Sequence, residues 1–524
     1  MAKITVDGKT VECQPHHMIL QACLEAGVEL PHYCYHAGLS IPANCRICLV
    51  EVEGIPKLVP SCQTQVRDGM VVYSKSTKAI ANQKQVMEFL LINHPLDCPV
   101  CDQAGECFLQ DYSYQYGRSQ SRFEEDKAKK PKKDVGEHIY LYSDRCIMCT
   151  RCVRFTREVA GTSELYVDGR GHKEQIDIFP GRPCNNKLSG NVVDICPVGA
   201  LLDKEFLFKQ RVWLLQSTPS ISPVDSGGEN TLLDHNEGIV YRIRPRFNAE
   251  VNKWWISDDT RYCYKVLYDD SRLRKAMRRE HGGLIAAPYR AALDAAAAGL
   301  KTAAQSGGLF AMLSPQMSCE EAWLLGQYIR AIDKNALLVL GPVPTTGHNE
   351  VFKHSVTGKQ TFEIQAEKVP NAAGIRRVLG MLGGPTATFD GLGGRTFGGG
   401  WIVGGYLSAW TPAKLPPALT QGFRVVQDLL KSDLATSADV VLPVAAWAEK
   451  DGCWENFAGK IQPFEAAVAP PDGVMREADA YLALLGRTGM FNATAVRNEM
   501  GEPFASVKIS LEHHAEPAME FAEL

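Results

Sequence analysis

The stretch Asp144-Arg145-Cys146-Ile147-Met148-Cys149-Thr150-Arg151-Cys152-Val153-Arg154-Phe155 sets three cysteines two residues apart, and after forty-three further residues Cys196-Pro197 adds a fourth. Three evenly spaced thiolates can grip three irons of a cubane, and a distant Cys-Pro closes the remaining corner. Cys184 competes for that corner but lacks the pattern Val193-Asp194-Ile195-Cys196-Pro197-Val198-Gly199-Ala200. Zinc knuckles do not take three thiolates in such a run. The spacing predicts a four-iron cluster on Cys146, Cys149, Cys152 and Cys196.

Two more groups lie upstream. Cys34, Cys45, Cys48 and Cys62 follow a strand, a helix and a loop, an arrangement suited to a two-iron cluster in which each iron takes two soft ligands. Structural zinc is the alternative, but zinc sites usually pair their ligands in two C-x-x-C knuckles and only one such pair is present. His94, Cys98, Cys101 and Cys107 form the second group, and one imidazole with three thiolates suits either zinc or a four-iron cluster. In a cluster, neutral imidazole in place of thiolate removes a negative charge and raises the reduction potential, as in Rieske centres. Cys13 and Cys23 fall on a strand and a helix and are read as core residues, as are the buried thiols expected of Cys319 and Cys453.

Of the seventeen cysteines, only Cys263, Cys319 and Cys453 follow residue 200, so the chemistry is expected near the N-terminus. Thiols stay reduced in the cytoplasm, where cysteines serve as metal ligands more often than as disulfides. The chain opens Met-Ala-Lys-Ile-Thr-Val-Asp-Gly-Lys without an apolar signal core, so secretion is not expected. Nor is there an apolar run long enough for a membrane span. With 56 basic and 60 acidic residues the net charge is −4, which offers no broad positive field for nucleic acid.

At 524 residues several domains are expected. Strands flank the Asp7-Gly8 turn, a helix runs from Met18 to Gly27, and another runs from about Lys78 to Asn93. The Pro-broken, lysine-rich stretch from Glu124 to Lys133 reads as an exposed linker. Short strands recur between Val212 and Arg246, with Asn236-Glu237-Gly238 as a hairpin turn. Beyond residue 280, alanine-rich helical runs such as Ala291–Ala304 alternate with apolar strands such as Leu337–Gly341 and Val440–Leu442, the pattern of an α/β domain with a parallel sheet. Gly391–Gly400 lacks the spacing of a dinucleotide fingerprint and reads as loop. The segment 491–524 reads as a tail.

In order, the segments Pro42-Ala43-Asn44-Cys45-Arg46-Ile47-Cys48-Leu49-Val50, His94-Pro95-Leu96-Asp97-Cys98-Pro99-Val100-Cys101-Asp102-Gln103-Ala104-Gly105-Glu106-Cys107 and Asp144–Phe155 resemble the signatures of one family. It is the large iron–sulfur subunit of respiratory complex I, NADH:quinone oxidoreductase. The resemblance implies an α+β multi-domain chain. Its parts are a 2Fe-2S ferredoxin-like (β-grasp) domain over 1–78, a 4Fe-4S module with one histidine and three cysteines over 79–120, and a bacterial-ferredoxin-like 4Fe-4S module over 137–208. A small β domain over 212–268 and a truncated molybdopterin-oxidoreductase-like α/β domain over 280–490 follow. It also implies one two-iron cluster on Cys34, Cys45, Cys48 and Cys62, and two four-iron clusters, one on His94, Cys98, Cys101 and Cys107 and one on Cys146, Cys149, Cys152 and Cys196.

Some relatives carry a fourth cluster on C-x2-C-x3-C and a later cysteine. Here those positions hold Ser222, Asp225, Glu229 and Ser257, so no fourth cluster is expected. Thr436–Pro443, Glu449–Gly452 and Glu455–Gln462 look like segments near the pterin in molybdopterin enzymes, yet no motif supplies a molybdenum ligand and no molybdopterin is expected. Implied partners are the flavin- and NADH-binding subunit, the small 2Fe-2S subunit and the quinone-module subunits, with membrane contact only through the complex. The implied place is peripheral, on the cytoplasmic side of the bacterial inner membrane. Rival readings are the same module serving a cytosolic hydrogenase or formate dehydrogenase, and a zinc scaffold without redox chemistry.

Overall fold

The structure, a computed structural model, describes residues 1–412 and 414–509. Its first unit is a five-stranded sheet in the order Lys9–Cys13, Ala2–Val6, Val71–Tyr73, Leu49–Val52, Val59–Pro60. Asp7 and Gly8 both have positive φ, 48° and 85°, as a two-residue hairpin turn between antiparallel strands requires. Helix Ile19–Glu25 buries Ile19, Leu20, Ala22 and Cys23 against Ile4, Val6, Val50 and Val72. Cys13 and Cys23 are part of this core.

Helix Thr77–Ile92 starts where the Ser76 hydroxyl accepts from the Ala79 amide at 3.2 Å. At its other end Lys127 Nζ donates to the Leu91 and Ile92 carbonyls at 2.8 and 2.9 Å. One lysine of the linker therefore caps a helix instead of standing free in solvent. The three-stranded sheet Leu201–Asp203, Ile139–Tyr142, Lys132–Asp134 and the helix Arg151–Glu158 follow. A hairpin much later in the chain, Glu350–Lys353 with Gln360–Ile364, clasps this unit: Thr361 Oγ1 donates to the Val159 carbonyl at 2.6 Å. Phe352, Phe362 and Ile364 join a core that also contains Phe155, Ile139 and Met87.

Strands Gln216–Ile221, Asn230–Asn236 and Ile239–Pro245 make an antiparallel sheet, followed by the short helix Asp258–Tyr262. Beyond lies an eight-stranded sheet in the order Gly283–Ala286, Met277–Glu280, Val440–Pro443, Phe423–Asp428, Gly399–Val403, Leu309–Leu313, Leu337–Leu340, Thr386–Thr388. Its last six strands are parallel, and Leu309–Leu313 and Leu337–Leu340 are apolar throughout, as expected of strands covered on both faces by helices such as Tyr289–Gly307 and Cys319–Ile332.

Two sequence expectations change here. The glycine-rich loop ends early, because Gly399 and Gly400 open a strand; a Cβ on Gly400 would lie 2.0 Å from Phe310 Cε1, so the aromatic ring fills the space a side chain would need. The segment read as a tail contains helix Ala493–Met500, capped by Asn492, and Phe491, Val496, Met500 and Phe504 join the core of the large sheet. The remainder of that segment, 510–524, lies outside the described residues. Among the described residues no helix is long and apolar enough to cross a membrane.

Candidate functional site

In the first group Ala43 and Arg46 take left-handed conformations, φ 51° and 63°, which fold the loop around Cys45 and Cys48. Asn82 Nδ2 holds the Arg46 carbonyl at 2.9 Å, so the helix after the sheet braces this loop. The four sulfurs meet: Cys34 hydrogen-bonds with Cys45 and Cys62, and Cys48 with Cys62. Those bonds from neighbouring thiols draw Cys48 down to about 7, and draw Cys34 down as well.

The second group is more open. Cys98 is exposed, Cys101 buried and Cys107 partly buried. The three thiols interact through their charges, and burial pushes Cys107 up to about 12. His94 is half-buried before Pro95, and desolvation with the nearby Arg145 lowers it to about 4, leaving a neutral ring able to offer a lone pair. Glu106, beside Cys107, is gripped by both Nη atoms of Arg242 at 2.8 Å. Arg242 and Arg244 also hold the buried Asp234, tying this loop to the following β domain.

The third group lines a small pocket whose walls are Cys146, Cys149, Cys152 and Cys196 with Leu141, Ile147, Ile176, Val198 and Leu201. Met148 and Thr150, at φ 53° and 61°, bend the cysteine loop around it. The Met148 amide donates to Cys146 Sγ at 3.4 Å, and amides of Val198, Ala200 and Leu201 donate to Cys196. Burial pushes Cys149 up to about 11 and Cys146 up to about 12. These sulfurs carry protons at neutral pH that a metal must displace. Cys184 lies apart, buried beside Asn186 Nδ2 at 3.9 Å.

Among the described residues no group of three or more His, Cys, Asp or Glu side chains converges on a position for a metal ion. The donors here are instead sulfur sets: one in mutual contact, another spread around an apolar pocket with amides aimed at its sulfurs. Such a donor set fits an iron–sulfur cluster, whose ligands surround a body larger than one ion.

Ser222, Glu229 and Ser257 also come together, through a residue that spacing did not single out. Thr260 Oγ1 lies 2.7 Å from Ser222 Oγ and 3.0 Å from Ser257 Oγ. Glu229 Oε2 accepts from the Ser257 amide at 3.1 Å and its hydroxyl at 3.3 Å. Asp225 Oδ1 accepts from the Gly227 amide at 2.8 Å, and Lys368 Nζ stands 3.8 Å from Oδ2. Burial, reinforced by Asp225, raises Glu229 to about 8, and burial raises Asp225 to about 6.

Serial thiol-rich modules on small αβ units define an iron–sulfur class of protein, and comparison with known proteins agrees. Family models match in order: a 2Fe-2S iron-sulfur cluster binding domain over residues 1–77, the NADH-ubiquinone oxidoreductase-G iron-sulfur binding region over 83–122, and the ferredoxin-like domain of NADH-quinone oxidoreductase subunit 3 over 136–202. An NDSU1/NuoG-like 4Fe-4S domain matches 215–265, and molybdopterin oxidoreductase matches 417–477. The NADH-ubiquinone oxidoreductase 75 kDa subunit of Reclinomonas americana is 40% identical over 67% of this chain and 50% of its own length. The NADH-quinone oxidoreductase G subunit of Rickettsia bellii is 40% identical over 64% of this chain and 49% of its own. A crystal structure of an NAD+-reducing NiFe-hydrogenase matches with TM-score 0.37 and 29% identity over 40% of this chain and 91% of that one.

The iron–sulfur part of this chain, residues 1–265, belongs to the family of the NADH-quinone oxidoreductase G subunit, also called the 75 kDa subunit. The chain spans about half the length of the curated relatives it matches.

Proposed function

We propose that this chain is an electron-transfer subunit of a proton-translocating NADH:quinone oxidoreductase, passing electrons from a partner that oxidises NADH with a flavin toward quinone-reducing partners. Its first unit, taken as a β-grasp ferredoxin-like domain over 1–78, holds a two-iron cluster through Cys34, Cys45, Cys48 and Cys62. The module at 79–120 holds a four-iron cluster through His94, Cys98, Cys101 and Cys107. The module at 137–208 holds another through Cys146, Cys149, Cys152 and Cys196. The clusters, when bound, supply one-electron carriage.

The chain's own residues fix the ligands, line the third group's pocket with the apolar Leu141, Ile176 and Val198, and aim amides at Cys196, which favours added negative charge there. The observation that carries the reading is that pocket, walled by the four cysteines that the spacing of the third motif selects. The domain at 212–268 is taken to hold no cluster and the domain at 280–490, a shortened molybdopterin-oxidoreductase-like fold, no pterin. Partners are the NADH- and flavin-binding subunit, the small 2Fe-2S subunit and the quinone module. The complex places the chain at the cytoplasmic face of the bacterial inner membrane.

Metal analysis of the purified chain, with low-temperature EPR of the assembly before and after NADH, tests this. About ten irons per chain and NADH-reducible signals are expected. A colourless protein with zinc and little iron would overturn it.

A further inference from the structure

The third cysteine motif carries three arginines, Arg145, Arg151 and Arg154, and all are buried, 2%, 1% and 4% exposed. A buried guanidinium is costly unless its donors are taken up and its charge is answered nearby. Each of these reaches across a boundary between ligand groups.

Arg154 donates to the carbonyls of Cys34 and Ser40 in the first unit, and to that of Cys149 at 3.4 Å in its own. It lies in the field of the Cys34 and Cys149 sulfurs. Arg151 donates to the Tyr35 carbonyl, next to Cys34, and to the Ile195 carbonyl at 3.3 Å, next to Cys196. Arg145 faces the other way. Its Nε and Nη2 reach Asp97 Oδ2 at 3.1 and 2.8 Å, beside Cys98, and its Nη1 reaches the Gly199 carbonyl at 3.4 Å, in the Cys196 loop. The guanidinium carbon sits 3.9 Å over the Tyr142 ring. Beside it Cys101 of the second group packs against the Cys196 loop, where a Cβ on Gly199 would stand 2.2 Å from Cys101 Sγ.

We infer that Arg154 and Arg145 are positioning residues that both clamp neighbouring ligand groups together and set their reduction potentials, Arg154 for the first and third groups and Arg145 for the second and third. A fixed positive charge between two groups stabilises the form of each that carries one more electron. Both arginines bond chiefly to backbone carbonyls or a loop aspartate, so substitution alters the electrostatics without removing a ligand. The inference rests on the proposed cluster-bearing function.

The test is a redox titration of EPR signals in the assembled complex carrying Arg154→Gln, Arg154→Lys or Arg145→Gln, with iron measured on each. In Arg154→Gln the first and third groups should become harder to reduce, the reduced-to-oxidised ratio falling about tenfold at fixed ambient potential, about 59 mV for one electron, while the second stays put. Arg145→Gln should move the second and third and spare the first. Arg154→Lys keeps the charge and should move the potentials less than Arg154→Gln.

Unmoved potentials with full iron in both glutamine variants overturn the inference, as does a shift confined to the group each arginine does not touch. Loss of iron in both Arg154 variants makes that residue a structural clamp alone and overturns its tuning role. Absence of iron and signals in the unsubstituted complex is a different outcome, failing the proposed function itself.

Discussion

Around Cys146, Cys149, Cys152 and Cys196 the sulfurs line a pocket, whereas around Ser222, Glu229 and Ser257 the interior is closed by side chains that bond one another through Thr260, with Asp225 alongside. Both regions gather four side chains from a tight loop and a distant segment. Thiols are weak donors and acceptors and satisfy one another poorly, so an apolar pocket ringed by protonated sulfur is a place for something else. Hydroxyls and carboxyls do satisfy one another. With Thr260 at its centre, the second region uses those bonds to occupy its own middle. At these four positions the side chains pack as polar core.

Removing one sulfur separates the two regions most plainly. Cys196→Ser should drop iron from about ten to about six per chain and abolish the third group's signal, whereas Cys184→Ser should keep both. Iron lost on changing Cys184 would reassign the fourth corner. Next in size is His94→Cys, which should keep its four irons but lower that group's midpoint in a redox titration, because a thiolate adds negative charge. An unchanged midpoint counts against His94 as a ligand.

On the closed side, Glu229→Ala should leave iron untouched yet lower the stability of residues 215–265 by about 1–3 kcal/mol, because the Ser257 amide and hydroxyl lose their acceptor. Hydrogen exchange confined to that domain reads the loss directly, and iron loss instead would mean that the region still serves a metal.

The weakest signal is a pH trend. Buried Glu229, with Asp225 and Cys263 near it, holds its proton up to about 8 against an ordinary value of 4.5. A carboxyl whose folded value is raised stabilises in full below the unfolded value and loses that contribution as pH climbs through the folded one. Exchange protection of this domain should therefore decline between about pH 4.5 and pH 8. Glu229→Gln, which cannot ionise, should flatten the decline, and an equally steep one in that variant would place the proton elsewhere.

Much of the architecture could be read from the chain because local rules and long-range packing agree there. Asp7-Gly8 demanded a hairpin, the alanine-rich run from 289 needed a flat apolar neighbour, and cysteine spacing grouped the thiols before any fold was drawn. The missed features are decided by partners distant in sequence. Thr260 is three residues past Ser257 on a short helix, and only the approach of Ser222 makes it a centre. Helix Ala493–Met500 is short and half polar, and its place is set by Phe491 and Phe504, which flank it in the core of the large sheet. Lys450, flanked by polar sequence, is buried because Glu321 and Glu477 meet it at 3.0 and 2.8 Å. The arginines of the third motif were in plain view, but no spacing rule says that their ends reach into other modules.

Cys98 is the one exposed cysteine among the proposed ligands, at the rim of the second group, while its counterparts are buried or half-covered. Sulfur oxidation follows thiolate character and access. In the isolated chain, peroxide should strike there first, so the order of damage runs opposite to the order of burial: the histidine-bearing module sheds its iron while the pocket around Cys152 still holds. Handled in air, this protein would age from that corner inward.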